Sequence, residues 1–150
     1  MRWGTIVVST FSTWKGVMQR RILFVEDEAN FRELFTRLLR EALATDQLDV
    51  AFVEVGSASE ARARLREGGL DAALIDVTLP DGNGLDLVGE INDGGPGDHI
   101  PTLVLTASLE TSVAGRAMEA GAQGALSKLA SMPETTDAIK RLTDAGRSEA

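Results

Sequence analysis

No cysteine occurs in the 150 residues, which removes disulfides, thiolate nucleophiles and cysteine-based zinc sites together. The compartment therefore cannot be read from thiol chemistry. Tyrosine is absent too, and the single histidine, His99, sits in the Gly- and Asp-rich stretch "NDGGPGDH". Basic charge is scarce: 15 Lys and Arg against 23 Asp and Glu leave a formal net charge of −8. That argues against a phosphate-backbone binder, because nucleic-acid domains concentrate Lys and Arg on one face. Cations or basic protein surfaces suit such a chain better. Long apolar runs are also missing. The first twenty residues hold only the short stretch Ile6 to Val8 before polar residues interrupt it, too little for a signal or membrane segment. With Met18 directly before "QRRILFVEDE", residues 1–20 are read as a leader, flexible or not native, and residues 147–150 as a frayed tail.

What is present is an ordinary globular composition, 43% hydrophobic and 25% charged, in a length that suits one domain. From Arg21 onward, short apolar runs alternate with segments of helical period, the signature of β-α units around a parallel sheet. Strands are expected at 21–25, 49–55, 71–76, 100–106 and 124–128. The second is the most polar and so nearest an edge. Helices are expected after each: 30–44, with Phe31, Leu34, Phe35, Leu38, Leu39 and Ala42 as one core-facing stripe; a short one capped by Ser57 or Ser59 and stopped by Gly68 and Gly69; one from about Gly84 with Leu85, Leu87, Val88 and Ile91 inward; 109–121; and 133–146, with Pro133 in its first turn.

In an open parallel sheet, ligands bind outside the carboxyl ends of the strands. The unexpected polar residues fall there: Glu26 and Asp27 after the first strand, Asp76 where the apolar "LID" ends, Thr106 after the fourth and Lys128 after the fifth. Singly, each is an ordinary cap or loop residue. Together, three carboxylates on one rim need an offset, since two unit charges ~4 Å apart near a protein surface repel by about 4 kcal/mol. Oxygen ligands without His or Cys suit a hard cation such as Mg²⁺. An aspartate, a magnesium and a lysine are the parts needed to receive a phosphoryl group, and the Thr106 hydroxyl could bind one of its oxygens. Pro80, Gly82 and Gly84 read mainly as turn chemistry.

In order and spacing, "ILFVEDE", "LIDVTLPDGNGLDL", "PTLVLTAS" and "GALSK" make residues 21–146 resemble the receiver domain of two-component response regulators, the CheY-like family. The resemblance implies an α/β, flavodoxin-like, doubly wound five-stranded parallel sheet of order 2-1-3-4-5 with five helices. It implies that Asp76 is the phosphoacceptor, that Asp27, Asp76 and the backbone carbonyl of Thr78 ligate Mg²⁺ with Glu26 acting through water, that Lys128 pairs with the phosphoryl group, and that Thr106 moves toward it and shifts the neighbouring helix face. The donor would be a histidine kinase or histidine phosphotransfer protein. The output would run through contacts with an unknown downstream protein, with no nucleic acid or membrane involved, from a cytoplasmic monomer or weak dimer. Such a domain is not a conventional enzyme, but promotes its own phosphorylation and dephosphorylation.

Three departures stand out. Leu129 follows Lys128 where the family usually has proline in a cis peptide, so either a trans bond with a rearranged loop or a strained cis bond is expected. Ala125 takes the place of a switching aromatic. Thr78 replaces a frequent Asn or Asp. The main reading is a single-domain response regulator phosphorylated on Asp76; the alternative is a receiver-shaped interaction module whose partner binding ignores phosphate. A flavodoxin-like ligand-binding or hydrolytic enzyme is disfavoured, because neither a phosphate-cradling glycine loop nor a Ser-His pair follows the first strand.

Overall fold

A computed structural model describes residues 13–14, 17–97, 99–108 and 110–148. The central strands form because their residues are apolar on both faces. Ile22, Leu23, Phe24 and Val25 in β2 (Val17–Val25) are fully buried, and all five positions of β4 (Ala72–Asp76) and of β7 (Thr102–Thr106) are buried too. Only a sheet covered on both sides accommodates such runs. β3 (Leu48–Val55) and β8 (Gly124–Ser127), which bury fewer side chains, lie at the two edges. The four pairings among these five strands are parallel, in the order β3-β2-β4-β7-β8, which is the expected 2-1-3-4-5 arrangement.

Five helices cover the sheet. Each N-terminus among the first three is capped by a side chain: α1 (Ala29–Thr45) by Glu28, α2 (Ala58–Glu67) by Ser57, and α3 (Gly84–Asn92) by Asn83. α4 spans Thr111–Ala120. α5 (Met132–Ser148) opens on a reciprocal box in which the Ser131 hydroxyl accepts from Glu134 N–H, while the Glu134 carboxylate accepts from Ser131. One face of the sheet packs against α1 and α5 through Phe35, Leu39, Leu43, Ile139 and Leu142. The other packs against α2, α3 and α4 through Ala61, Leu65, Leu87, Val88, Ile91 and Ala117. Among the described residues, no helix is long and apolar enough to cross a membrane.

Three expectations need correction. α5 runs to Ser148, so residues 147–148 of the expected frayed tail are helical. The first strand starts at Val17, not Arg21. It pairs with β3 from Met18 opposite Leu48, and antiparallel with a short β1 (Thr13–Trp14). Residues 13–14 and 17–20 of the expected flexible leader are thus in the sheet, with Arg20 buried at 8% exposure. Backbone pairing makes no demand on side-chain polarity, so "QRR" concealed it; the rest of the leader lies outside the described residues. On α1 the buried residues are Phe35, Thr36, Leu39 and Leu43, while Leu34 and Leu38 are 48% and 42% exposed. The stripe is therefore narrower and rotated toward Leu43.

Candidate functional site

Parallel register brings the polar strand ends to one rim. Val25 lies opposite both Val55 and Ile75, Asp76 opposite Leu105, and Thr106 opposite Ser127. The first residue beyond each strand is then tied to its neighbour: Glu26 N–H donates to Val55 O at 3.0 Å, Val77 N–H to Leu105 O at 3.0 Å, and Lys128 N–H to Thr106 O at 2.8 Å. The loops consequently leave the sheet from fixed points.

On that rim the carboxylates of Glu26, Asp27 and Asp76 each place an oxygen within 4.8 Å of the others. Glu26 is fully buried and Asp76 is 5% exposed, while Asp27 faces solvent. Lys128 reaches both buried acids, its Nζ lying 2.7 Å from Glu26 Oε1 and 2.9 Å from Asp76 Oδ2. Its ammonium also stands 5.0 Å from the centre of the Phe31 ring. The remaining oxygens find backbone donors: Glu28 N–H to Glu26 Oε2 at 3.0 Å and Thr78 N–H to Asp76 Oδ1 at 3.1 Å. The Arg32 guanidinium donates to the Glu26 carbonyl and pairs with Glu54 at 3.4 Å, bracing the first loop against β3.

Burial pushes the Glu26 carboxyl above its usual range, opposed by the Lys128 hydrogen bond. Burial alone would lower Lys128, but its bonds to Glu26 and Asp76 outweigh that and hold it above the ordinary lysine value. It is therefore an ammonium at neutral pH. One cation facing three carboxyl groups leaves the rim short of positive charge. The donors are all hard oxygens, at a spacing that one hydrated divalent ion can span, and the exposed Asp27 leaves an entry path. The cluster thus fits a metal.

The lysine arm reaches the site without a proline behind it. No peptide bond among the described residues is cis. Leu129 N–H instead donates to the Ser127 hydroxyl at 3.0 Å, and Ala130 N–H to Ser127 O at 3.0 Å. A proline at 129 could not make the first of these bonds. The resulting turn throws Leu129 outward, 86% exposed, while Lys128 points in. This is the rearranged trans loop of the two expected outcomes.

Of the other expected residues, Thr106 is buried on the same rim, but its hydroxyl engages its own loop, with Ser108 O and N each at 3.3 Å. Thr78 begins a small ribbon, β5 (Thr78–Leu79) with β6 (Gly82–Asn83), tied to Asp76 by the Thr78 amide. Gly84 closes that turn, donating to Val77 O at 2.7 Å. A Cβ there would stand 2.0 Å from the Asp76 carbonyl oxygen, so its role is close approach as well as turn geometry. Ala125 is half-buried against the α2-α3-α4 core, and His99 N–H donates to Ile91 O at 3.1 Å, in the loop after α3.

Two contributors went unread in the sequence. Asp81, at the tip of the ribbon, accepts from Ala58 N–H at 2.7 Å and Ser59 N–H at 3.0 Å, lashing the turn behind Asp76 to the start of α2. Its only sequence signal was an Asp in a Pro-Asp-Gly turn, which local turn bonding explains equally well. Phe31 was read as core; its place one turn after the acidic pair was the available clue.

The response regulator receiver domain model matches residues 22–140, and the chain belongs to that family. Among curated relatives, it is 31% identical over 119 residues to the swarming motility regulation protein RssB of Serratia marcescens, covering 79% of this chain and 51% of that one. It is 35% identical over 129 residues to the DNA-binding transcriptional activator DevR/DosR of Mycobacterium tuberculosis, covering 85% and 56%. This chain spans about half the length of those two relatives. Among solved structures it superposes on a two-component response regulator of the LuxR family from an Aurantimonas species at TM-score 0.72 and 28% identity, covering 85% of this chain and 86% of that one. A CheY-like receiver from Methanospirillum hungatei, at TM-score 0.71 and 23% identity over 88% and 99% of the chains, shares the fold.

Proposed function

We propose that Asp76 accepts a phosphoryl group from a phosphohistidine donor, a histidine kinase or histidine phosphotransfer protein. The P–N bond of the donor breaks as a bond from phosphorus to the Asp76 carboxylate forms, and the electron pair returns to the imidazole. Asp27, Asp76 and the Thr78 carbonyl would hold Mg²⁺, with Glu26 acting through water. The ion would supply neutralisation of phosphoryl charge. The chain's own residues do the rest. Glu28 and Thr78 amides orient the Glu26 and Asp76 carboxylates. Lys128 carries the second positive charge and moves from Asp76 to a phosphoryl oxygen, and the Thr106 hydroxyl leaves Ser108 to bind another.

The observation that carries this reading is the Lys128 ammonium on a buried Asp76 beside two further carboxylates. Without a ligand to neutralise, such a concentration of charge only costs desolvation. In the same reading the domain signals through protein contacts. Its net charge of −8 supports this, since it suits basic protein surfaces better than a phosphate backbone.

Intact-mass measurement after incubation with Mg²⁺ and acetyl phosphate tests it. Wild type is expected to gain one phosphoryl group, and Asp76→Ala and Asp27→Asn none. An unchanged wild-type mass with every small donor and phosphohistidine protein tried would instead favour the phosphate-independent module.

A further inference from the structure

We propose that Phe31 is a positioning residue for Lys128, holding the ammonium over the site when a metal ion draws on its carboxylate partners. The inference rests on the phosphoacceptor reading for its consequence, but not for its geometry.

Lys128 has three attractive partners: Glu26 Oε1, Asp76 Oδ2 and the Phe31 ring. The two carboxylates belong to the cluster that fits a cation, so their pull on the lysine weakens once an ion shares them. The ring is neutral, binds no metal and takes no proton. Its face attracts a cation within about 6 Å through the quadrupole. It also occupies no N–H, leaving the ammonium's donors for phosphoryl oxygens.

The ring is well fixed for this task. Phe31 N–H is held in the α1 cap by Glu28 at 3.3 Å. Its ring stacks on Phe35 with centroids 5.1 Å apart and planes 25° apart, and Phe35 leans on the fully buried Phe24 at 5.3 Å. Phe52 adds a fourth ring beside Phe24 at 6.4 Å. This column runs from the sheet to the lysine, and four of the five phenylalanines belong to it. A receiver whose lysine loop is closed by Ser127 instead of proline gains from such an external guide.

Two measurements on the full chain test this. In the first, NMR of the Lys128 side-chain methylenes is recorded with and without saturating Mg²⁺. Wild type should show ring-current-shifted resonances in both conditions, and Phe31→Leu should lose the shift. In the second, Phe31 is replaced by mono-, di- and trifluorophenylalanine, which drain the ring face at nearly constant shape, and the phosphorylation rate with acetyl phosphate is followed. The maximal rate should fall with each fluorine at unchanged KM for the donor. Phe31→Leu should lose roughly five- to thirtyfold, as expected for a partly desolvated cation–π contact, and Phe31→Trp should restore most of it.

A Lys128 shift that is missing in wild type, or that vanishes with Mg²⁺, overturns the inference; so does a flat fluorine series. If wild type takes no phosphoryl group at all, the phosphoacceptor reading falls, while the Mg²⁺ titration of the Lys128 shift still decides the role of Phe31.

Discussion

The two faces of the sheet are built from different material. The core under α1 and α5 contains Phe24 and Phe35, with Phe31 and Phe52 packed against it; the core under α2, α3 and α4 has no aromatic among its buried residues and uses Val, Leu, Ile and Ala. The aromatic side touches the lysine directly, through Phe31. The aliphatic side reaches the site through the backbone, by the Asp81 lashing at α2 and the turn at Gly84. One face thus steadies a side chain, and the other steadies a loop.

The sharpest way to break this contrast is to delete equivalent bulk on each side. Phe24→Ala should cost about 4 kcal/mol by urea denaturation, within the range for truncating a buried aromatic, and should also displace the Lys128 resonances. Leu87→Ala on the aliphatic face should cost about 3 kcal/mol and leave them in place. Equal disturbance of Lys128 by both variants would erase the distinction. Next in size, Lys128→Met should destabilise the metal-free protein by about 3 kcal/mol, because Glu26 and Asp76 are left buried without their counter-charge. Added Mg²⁺ should recover part of that loss in the same denaturation assay.

A smaller effect concerns the Arg62 pair with Glu90, which ties α2 to α3 at 2.8 Å and is about one-third exposed on each side. The Arg62 hydrogen bond holds the Glu90 carboxyl below its ordinary value. A depressed carboxyl contributes stability above its unfolded pKa of 4.5 and loses it as pH falls through the folded value. Glu90→Gln should therefore be less stable than wild type at neutral pH by under about 1 kcal/mol, the solvent-screened scale for such a pair. The gap should close below pH 4.5; a gap that persists in acid would assign the pair a packing role instead. Last, Asp81→Ala should weaken Mg²⁺ binding severalfold by calorimetry, with a melting-curve shift no larger than the loss of a helix-start cap gives. Unchanged affinity would detach the aliphatic face from the site.

The fold was legible because strands such as "RILFV" and "LVLT" are apolar on both faces, and an α-β alternation admits few arrangements for them. The rim was legible because three acids and a lysine gathered at neighbouring strand ends, each ordinary alone, together call for an offsetting ligand. What escaped depended on distant partners or on phase. Asp81 caps a helix 23 positions away in sequence, Phe31 meets a lysine from the opposite end of the chain, and the N-terminal part of β2 is held by backbone pairing that leaves no apolar mark. On α1, leucines on several sides blurred which ones face inward; packing against α5 and the sheet chose Leu39 and Leu43.

Gly84 carries a last implication, for how the chain can vary. With the Asp76 carbonyl in the space that any larger residue's first carbon would fill, position 84 has no conservative neighbour to drift toward. In a saturation library selected for signalling, that column should stand empty but for glycine, and even alanine, the smallest step available, should be purged as thoroughly as a change to Asp76 itself.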